Sequence, residues 1–330
     1  MPSGFSVGRV LELVQKGRES ASSAERPLHF QIVVDPKVPR WIAQTVKGAF
    51  VPEQGGATVD VSGLVGAVRV APGVDAALVL AGGSDDLVAA AAGSYLGSGV
   101  NVALVAESAL DTPDVNATEE ARQLLSLVCA SEKGALVDAL AEWLLNVSPD
   151  PVAAAANFAF CRQLEVDRLI NRCALENAGV GAVDLIHGAD LPIMTGNQIK
   201  LAFDIAAAHG KGLSADRAVD AAIMALAGLV FRASARGILG HVPALKFVVR
   251  GAIGYGGTVV SGRVVEAKIR VEEGTLQLPG IELPDVPAWA AEALGRVSSL
   301  RPGAAAAEAP KPARLASPSA GDGAGYVTYD

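Results

Sequence analysis

Asp35-Pro36-Lys37-Val38-Pro39 follows directly on the apolar run Phe30-Gln31-Ile32-Val33-Val34 and precedes the helix-spaced residues Trp41, Val46 and Phe50. Nucleotide-binding sheets carry their phosphate loop, G-x-x-x-x-G-K-[ST], at such a strand–turn–helix junction, where free backbone N–H groups receive phosphate oxygens. This chain places an acid and two prolines there instead. Asp35 is expected to cap the helix with its own carboxylate, occupying those donors and repelling an anion. Pro36 and Pro39 remove two further N–H groups. The spacing therefore predicts a junction closed to phosphate.

Other chemistry-bearing residues are scattered. His29, His187, His209 and His241 are far apart and form no H-x-x-x-H pair, so each is expected at a helix end or turn rather than on a metal. Cys129, Cys161 and Cys173 sit in apolar-periodic segments without a Cys-x-x-Cys and read as small buried hydrophobes. No G-x-S-x-G elbow or strand-linked G-x-G-x-x-G is present. Asp85-Asp86 follows a strand end, where an α/β sheet displays functional side chains, but helix capping explains the pair equally well. Gly254-Tyr255-Gly256-Gly257 falls in a helical region and is expected to serve packing. No catalytic constellation, metal or cofactor is expected from these residues.

At 330 residues the chain has room for two cores. Half of it is hydrophobic (51%), yet no apolar run reaches the roughly 18 residues of a spanning helix. The N-terminus lacks the layout of a signal peptide, and the expected location is the cytoplasm, free or peripheral on the inner face of the membrane. The net charge of −8 argues against nucleic-acid binding and is unevenly placed. Residues 1–150 carry 10 basic and 18 acidic side chains, whereas 214–271 carry 8 and 3. The most apolar stretch is thus also the most basic. That combination suits an anionic membrane surface or an acidic protein partner; ordinary solvated arginines on a helical bundle would look the same.

Strand and helix patterns alternate up to residue 148. Strands are expected at Phe30–Val34, Thr58–Val61, Ala67–Val70, Asp75–Ala81, Val100–Val105 and Ser126–Cys129, with helices after most of them. This alternation predicts an α/β fold with a doubly wound, mainly parallel sheet. Ser148-Pro149-Asp150-Pro151 reads as a boundary, and an all-α, Gly/Ala-rich part follows. Its helices are expected at about 152–177, 193–209, 214–237 and 244–269. The glycines of the last would cost about 1 kcal/mol each in isolation. They are expected to pack closely on the preceding helix, at Ala233 and Gly237. The chain thus divides into a helix and linker (1–27), a sheet domain (28–148), a helical domain (149–272), a Pro-punctuated segment with a short helix (273–300) and a disordered tail (301–330).

Asp190-Leu191-Pro192-Ile193-Met194-Thr195-Gly196-Asn197-Gln198, Ile205 to Gly210, Arg236-Gly237-Ile238-Leu239, Val242-Pro243-Ala244-Leu245 and Gly251 to Thr258 form an ordered series of landmarks. Over residues 152–270 this series resembles the YcjF-type domain of unknown function (family 697). That domain follows an Era-like small-GTPase domain in many bacterial proteins and is associated with inner membranes. The resemblance implies that the sheet half is a degenerate G-domain. Asp60-Val61-Ser62-Gly63 then matches D-x-x-G, a motif short enough to arise by chance. Ser131-Glu132-Lys133-Gly134 is similar to the guanine-contacting S-A-K loop. Ala106-Glu107-Ser108-Ala109 stands where N-K-x-D would read guanine, and the base-binding Asp is missing. Asp35, Pro36, Asp60, Gly63, Ser131 and Lys133 are thus the expected degenerate nucleotide-site positions.

The resulting expectation is a non-catalytic pseudo-GTPase scaffold whose helical half docks on a membrane surface or protein partner and can self-associate. Arg232, Arg236, Lys246, Arg250 and Arg263 are the candidate contacts, because their stems can lie on apolar surface while their heads reach anionic groups. An atypical nucleotide-binding loop and a small-ligand sensor at the strand ends near Asp35, Gly82 and Ala106 remain the alternatives.

Overall fold

The computed structural model describes residues 19, 20, 22–182, 190–212 and 246–276, with the side chains of 190–192 and 246–250 left aside. The expected helices within 1–27 and 273–300, the helix at 214–237, the tail, and Arg232 and Arg236 lie outside these residues. Alternation of strand and helix is borne out. The elements run β1 (Leu28–Val34), α1 (Arg40–Ala49), β2 (Ala57–Gly63), β3 (Ala76–Leu80), α2 (Asp85–Gly97), β4 (Asn101–Ala106), α3 (Glu119–Arg122), β5 (Leu125–Cys129) and α4 (Lys133–Val147). Among the described residues after α4 only helices are found: α5 (Pro151–Asn157), α6 (Ala159–Ala182), α7 (Asp190–Ala208) and α8 (Lys246–Glu272).

The five strands are all parallel, in the order β2-β1-β3-β4-β5. Every residue of β3 is buried, as is all of β4 after Asn101. A parallel strand covered on both faces must be apolar throughout, so these two runs stood out in the sequence. One face packs Phe30, Ile32, Leu78 and Val105 against α1 and α4, with Ile42, Val46, Leu136, Leu140 and Leu144 facing the sheet. The other packs Val33, Val79 and Leu104 against α2, through Val88, Ala92, Tyr95 and Leu96. Strand β2, at the edge, is mostly exposed.

Two expectations need correction. Ala67–Val70 is not a strand; residues 64–75 cross from β2 to β3 without regular structure, and Leu64, Val68, Val70 and Val74 cover the sheet face in place of a helix. The expected helix at 152–177 is two helices. Phe158 interrupts it in an extended conformation (φ −122°, ψ 105°) and is fully buried among the sheet's side chains. Its ring lies 5.6 Å from Phe30 and 5.4 Å from Phe50, and Phe160 adds a contact 5.2 Å from Phe50. Burial of a large aromatic outweighs one broken helical turn. The glycines of α8 also approach α6 closely, while their expected partner positions Ala233 and Gly237 lie outside the described residues. A Cβ at Gly254 would lie 2.6 Å from the Asn177 carbonyl oxygen, and one at Gly262 would lie 2.8 Å from the Ile170 side chain.

Candidate functional site: the strand-end crevice at Asp35

In a parallel sheet of this order the chain winds one way from β1 to β2 and the other way from β3 onward. The crevice beyond the carboxyl ends of β1 and β3 is therefore the place where such folds bind ligands. Two loops meet there: Asp35-Pro36-Lys37-Val38-Pro39 after β1, and Ala81-Gly82-Gly83-Ser84 after β3.

Asp35 does not cap α1. The cap position is Pro39, and no side chain bonds to the first turn. The carboxylate turns across the crevice instead. One oxygen, Oδ2, accepts from the backbone N–H of Gly82 (3.0 Å) and of Ser84 (2.9 Å). The other, Oδ1, accepts from the Ser84 hydroxyl (3.0 Å) and from the Lys37 N–H (3.0 Å). Asp35 N–H in turn donates to the Leu80 carbonyl at 3.1 Å. The residue is 0% exposed. Burial raises its pKa, but the four hydrogen bonds from Lys37, Ser84 and Gly82 outweigh that and hold it below the usual carboxylate value.

These donors are the kind that a phosphate oxygen would use, and the chain's own carboxylate fills them. The loops also touch. A Cβ at Gly82 would fall 2.1 Å from the Val38 nitrogen and 2.3 Å from the Lys37 carbonyl carbon, so backbone lies directly on backbone. Lys37 Nζ closes over the rim by donating to the Gly83 carbonyl at 3.2 Å. Asp85 and Asp86 occupy the first turn of α2 behind Ser84, where carboxylates complement the helix dipole.

Of the remaining nucleotide-site positions, Asp60, Ser131 and Lys133 do not converge on this point. Asp60 pairs in register with Gln31, four residues below Asp35, which is about 13 Å along a strand. Its carboxylate meets His29 Nε2 at 2.8 Å on the exposed edge. Gly63 ends β2 beside Val34. Ser131 and Lys133 are exposed at the start of α4, beyond β5 at the far edge of the sheet. Pro36 lies in the crevice loop itself.

Of the candidate docking cations, Lys246 and Arg250 begin α8, and Arg263 lies further along it. Arg263 bonds Asp167 at 2.6 Å and Glu266 at 2.8 Å, so its charge is already matched within the bundle. Sequence inspection missed the polar core of this half. Asn177 donates to Thr258 Oγ1 (2.9 Å) and accepts from Asn197 (3.0 Å), joining α6, α7 and α8. It also missed Arg162, which donates to the Ala155, Ala156 and Ala208 carbonyls and to Glu53 at 2.6 Å. That guanidinium joins the carbonyl ends of α5 and α7 to the loop after α1. A lone polar residue inside an apolar period was the available signal in both cases. Burial raises the thiol pKa values of Cys161 and Cys173 to about 12, which suits packing rather than reactivity.

Fold and site together define a parallel, doubly wound α/β unit whose strand-end crevice is filled by the chain's own Asp35 carboxylate, continued by helices. Comparison with protein-family models, curated proteins and solved structures gave no match. Among the described residues no helix is long and apolar enough to cross a membrane, and no group of three or more His, Cys, Asp or Glu side chains is placed to hold a metal ion.

Proposed function

We propose that this protein is a non-catalytic scaffold: a degenerate G-domain-like sheet supporting a YcjF-type helical half that docks on an acidic surface, membrane or protein. The observation that carries the first part is the Asp35 carboxylate, which takes up the backbone donors of Lys37, Gly82 and Ser84 where an anionic ligand would bind. A bound phosphate would have to displace a buried carboxylate and overcome its repulsion. The close approach of Gly82 to the Lys37–Val38 backbone leaves little space for a purine or sugar at this point. Calorimetric titration with GTP, GDP and ATP, with and without magnesium, should give no binding at micromolar concentrations. Micromolar affinity for any of them would favour the atypical nucleotide loop instead.

The docking part rests on the charge imbalance, +5 over residues 214–271 from 8 basic and 3 acidic side chains. Because Arg263 is matched by Asp167 and Glu266, the docking role is assigned to Arg232, Arg236, Lys246 and Arg250. Flotation with phosphatidylserine vesicles and with neutral vesicles should recover the protein preferentially on the anionic ones, and less so in high salt. Equal recovery on both removes the charge-driven version and leaves an acidic protein as the partner.

A further inference from the structure

Strand β2 borders the sheet, and Thr58 and Asp60 to Gly63 are exposed along it. The Leu28 N–H donates to the Gly56 carbonyl and the Leu64 N–H to the Val34 carbonyl, so even-numbered residues turn their backbone groups towards β1. Ala57, Val59, Val61 and Gly63 therefore present theirs outwards. The Gly63 carbonyl also accepts from the Val65 N–H at 3.1 Å, where the chain leaves the strand. Sheet edges are ordinarily guarded by lysines, prolines or bulges. Residues 57–63 contain no lysine or proline, and their register with β1 is unbroken. Their single charge, Asp60, is hydrogen-bonded to His29.

The apolar layer under α1 and α4 stops abruptly at this edge. Val61 is in register with Ile32, and Ile32 with Leu78. Leu78 is 0% exposed and Ile32 2%, but Val61 is 65% exposed. On the other face, Asp60 Oδ2 meets His29, whereas Asp60 Oδ1 and the Ser62 hydroxyl have no partner among the described residues. An antiparallel second copy of β2 answers both faces, and charge selects its register. Centring the pair on Asp60 sets carboxylate against carboxylate, which destabilises a ladder. Centring it on Val59 places Val61 opposite the smaller Ala57. Centring it on Val61 joins the two open ends of the Leu78–Ile32–Val61 row and sets each Asp60 opposite a Ser62 hydroxyl.

We propose that this chain forms a two-fold dimer in which β2 pairs antiparallel with β2 of a second copy, Val61 opposite Val61. The pairing joins two five-stranded sheets into one. A second copy suits the edge better than a foreign peptide because the edge is its own complement. The outward backbone groups of Val59, Val61 and Gly63 repeat symmetrically about Val61, and Asp60 and Ser62 answer one another in both directions. Such an isologous contact closes on itself and leaves no free β2 edge. The dimer requires neither nucleotide nor an acidic docking surface.

Sedimentation velocity on the full chain at micromolar concentrations should give twice the chain mass. Val61→Lys sets two ammonium groups opposite one another and should raise the dissociation constant at least about tenfold. Val61 is exposed in the single chain, so circular dichroism and thermal melting of that variant should match those of the separated wild-type chain. A short bis-maleimide should link Val61→Cys to its copy, with the half-buried Cys129 replaced by serine. Thr58→Cys lies about 20 Å from its copy in this register and should not be linked. A monomer throughout overturns the proposal, as does a dimer indifferent to Val61→Lys. So does a dimer dissolved by Leu127→Lys on β5, the opposite border of the sheet. Linkage of Thr58→Cys as efficient as that of Val61→Cys overturns it as well, because the strands would then pair in another register.

Discussion

Replacing Asp35 by Asn keeps the shape of the crevice plug while removing its charge and half of its accepting capacity. The wild-type carboxylate accepts four hydrogen bonds, three from backbone N–H groups and one from the Ser84 hydroxyl. An asparagine oxygen can keep those on one side. Its amide nitrogen must then face either the Gly82 and Ser84 N–H groups or those of Lys37 and the serine hydroxyl, donor against donor. The hydroxyl can rotate to accept, whereas an N–H cannot. With the better orientation one backbone donor is left unsatisfied, and leaving a buried donor unpaired costs about 1–3 kcal/mol. The surviving bonds also lose their charge assistance, about 1 kcal/mol more. Asp35→Asn should therefore lower unfolding stability by roughly 2–4 kcal/mol in urea titration at pH 7. Wild-type stability should also fall in acid. The folded-state pKa of Asp35 lies below its unfolded value, so its contribution is present above the unfolded pKa and is lost as the pH falls through the folded one. The variant should lack that share of the acid limb. A stability within about 0.5 kcal/mol of wild type, the scale of a neutral surface change, would refute the view that the carboxylate organises the crevice.

Gly254→Ala should destabilise the helical half by about 2 kcal/mol or more, because its Cβ would sit 2.6 Å from the Asn177 carbonyl oxygen; thermal melting is the check, with Gly251→Ala, whose nearest atom is at 3.4 Å, as the mild comparison. For Glu165→Gln the sign follows from a folded-state pKa of about 7 against an ordinary 4.5. The wild-type contribution is fully present below the lower value and is lost as the pH rises to the upper one. The variant should thus match wild type near pH 4.5 and exceed it by at most about 3 kcal/mol at pH 8, measured as the difference between their urea midpoints.

The buried centre of the sheet was legible because β3 and β4 are apolar without interruption, a pattern that parallel strands under two helical layers require. The crevice was half legible. Asp35 after a strand stands out, but its partners Gly82 and Ser84 lie 47 and 49 residues further on, so a local cap looked like the natural destination. Phe158 could not be foreseen as a helix break, since no proline or glycine marks it; the driving contact is with Phe30 and Phe50, more than 100 residues earlier. The α8 glycines announced close packing, but their contact with α6 was not legible, because small residues specify a distance and not an address. The Arg263–Asp167 pair was likewise invisible, as Asp167 is 96 positions away.

The ring cluster of Phe30, Phe50, Phe158 and Phe160 has a practical consequence for anyone dividing this chain. A cut at 148/149, where composition changes, passes between the two pairs of rings. The front fragment would carry Phe30 and Phe50 as a bare greasy flank, and the rear one would begin with Phe158 and Phe160 seeking cover. Carrying the front fragment through Leu164 keeps all four rings in one piece, and such a fragment is the one suited to separate expression.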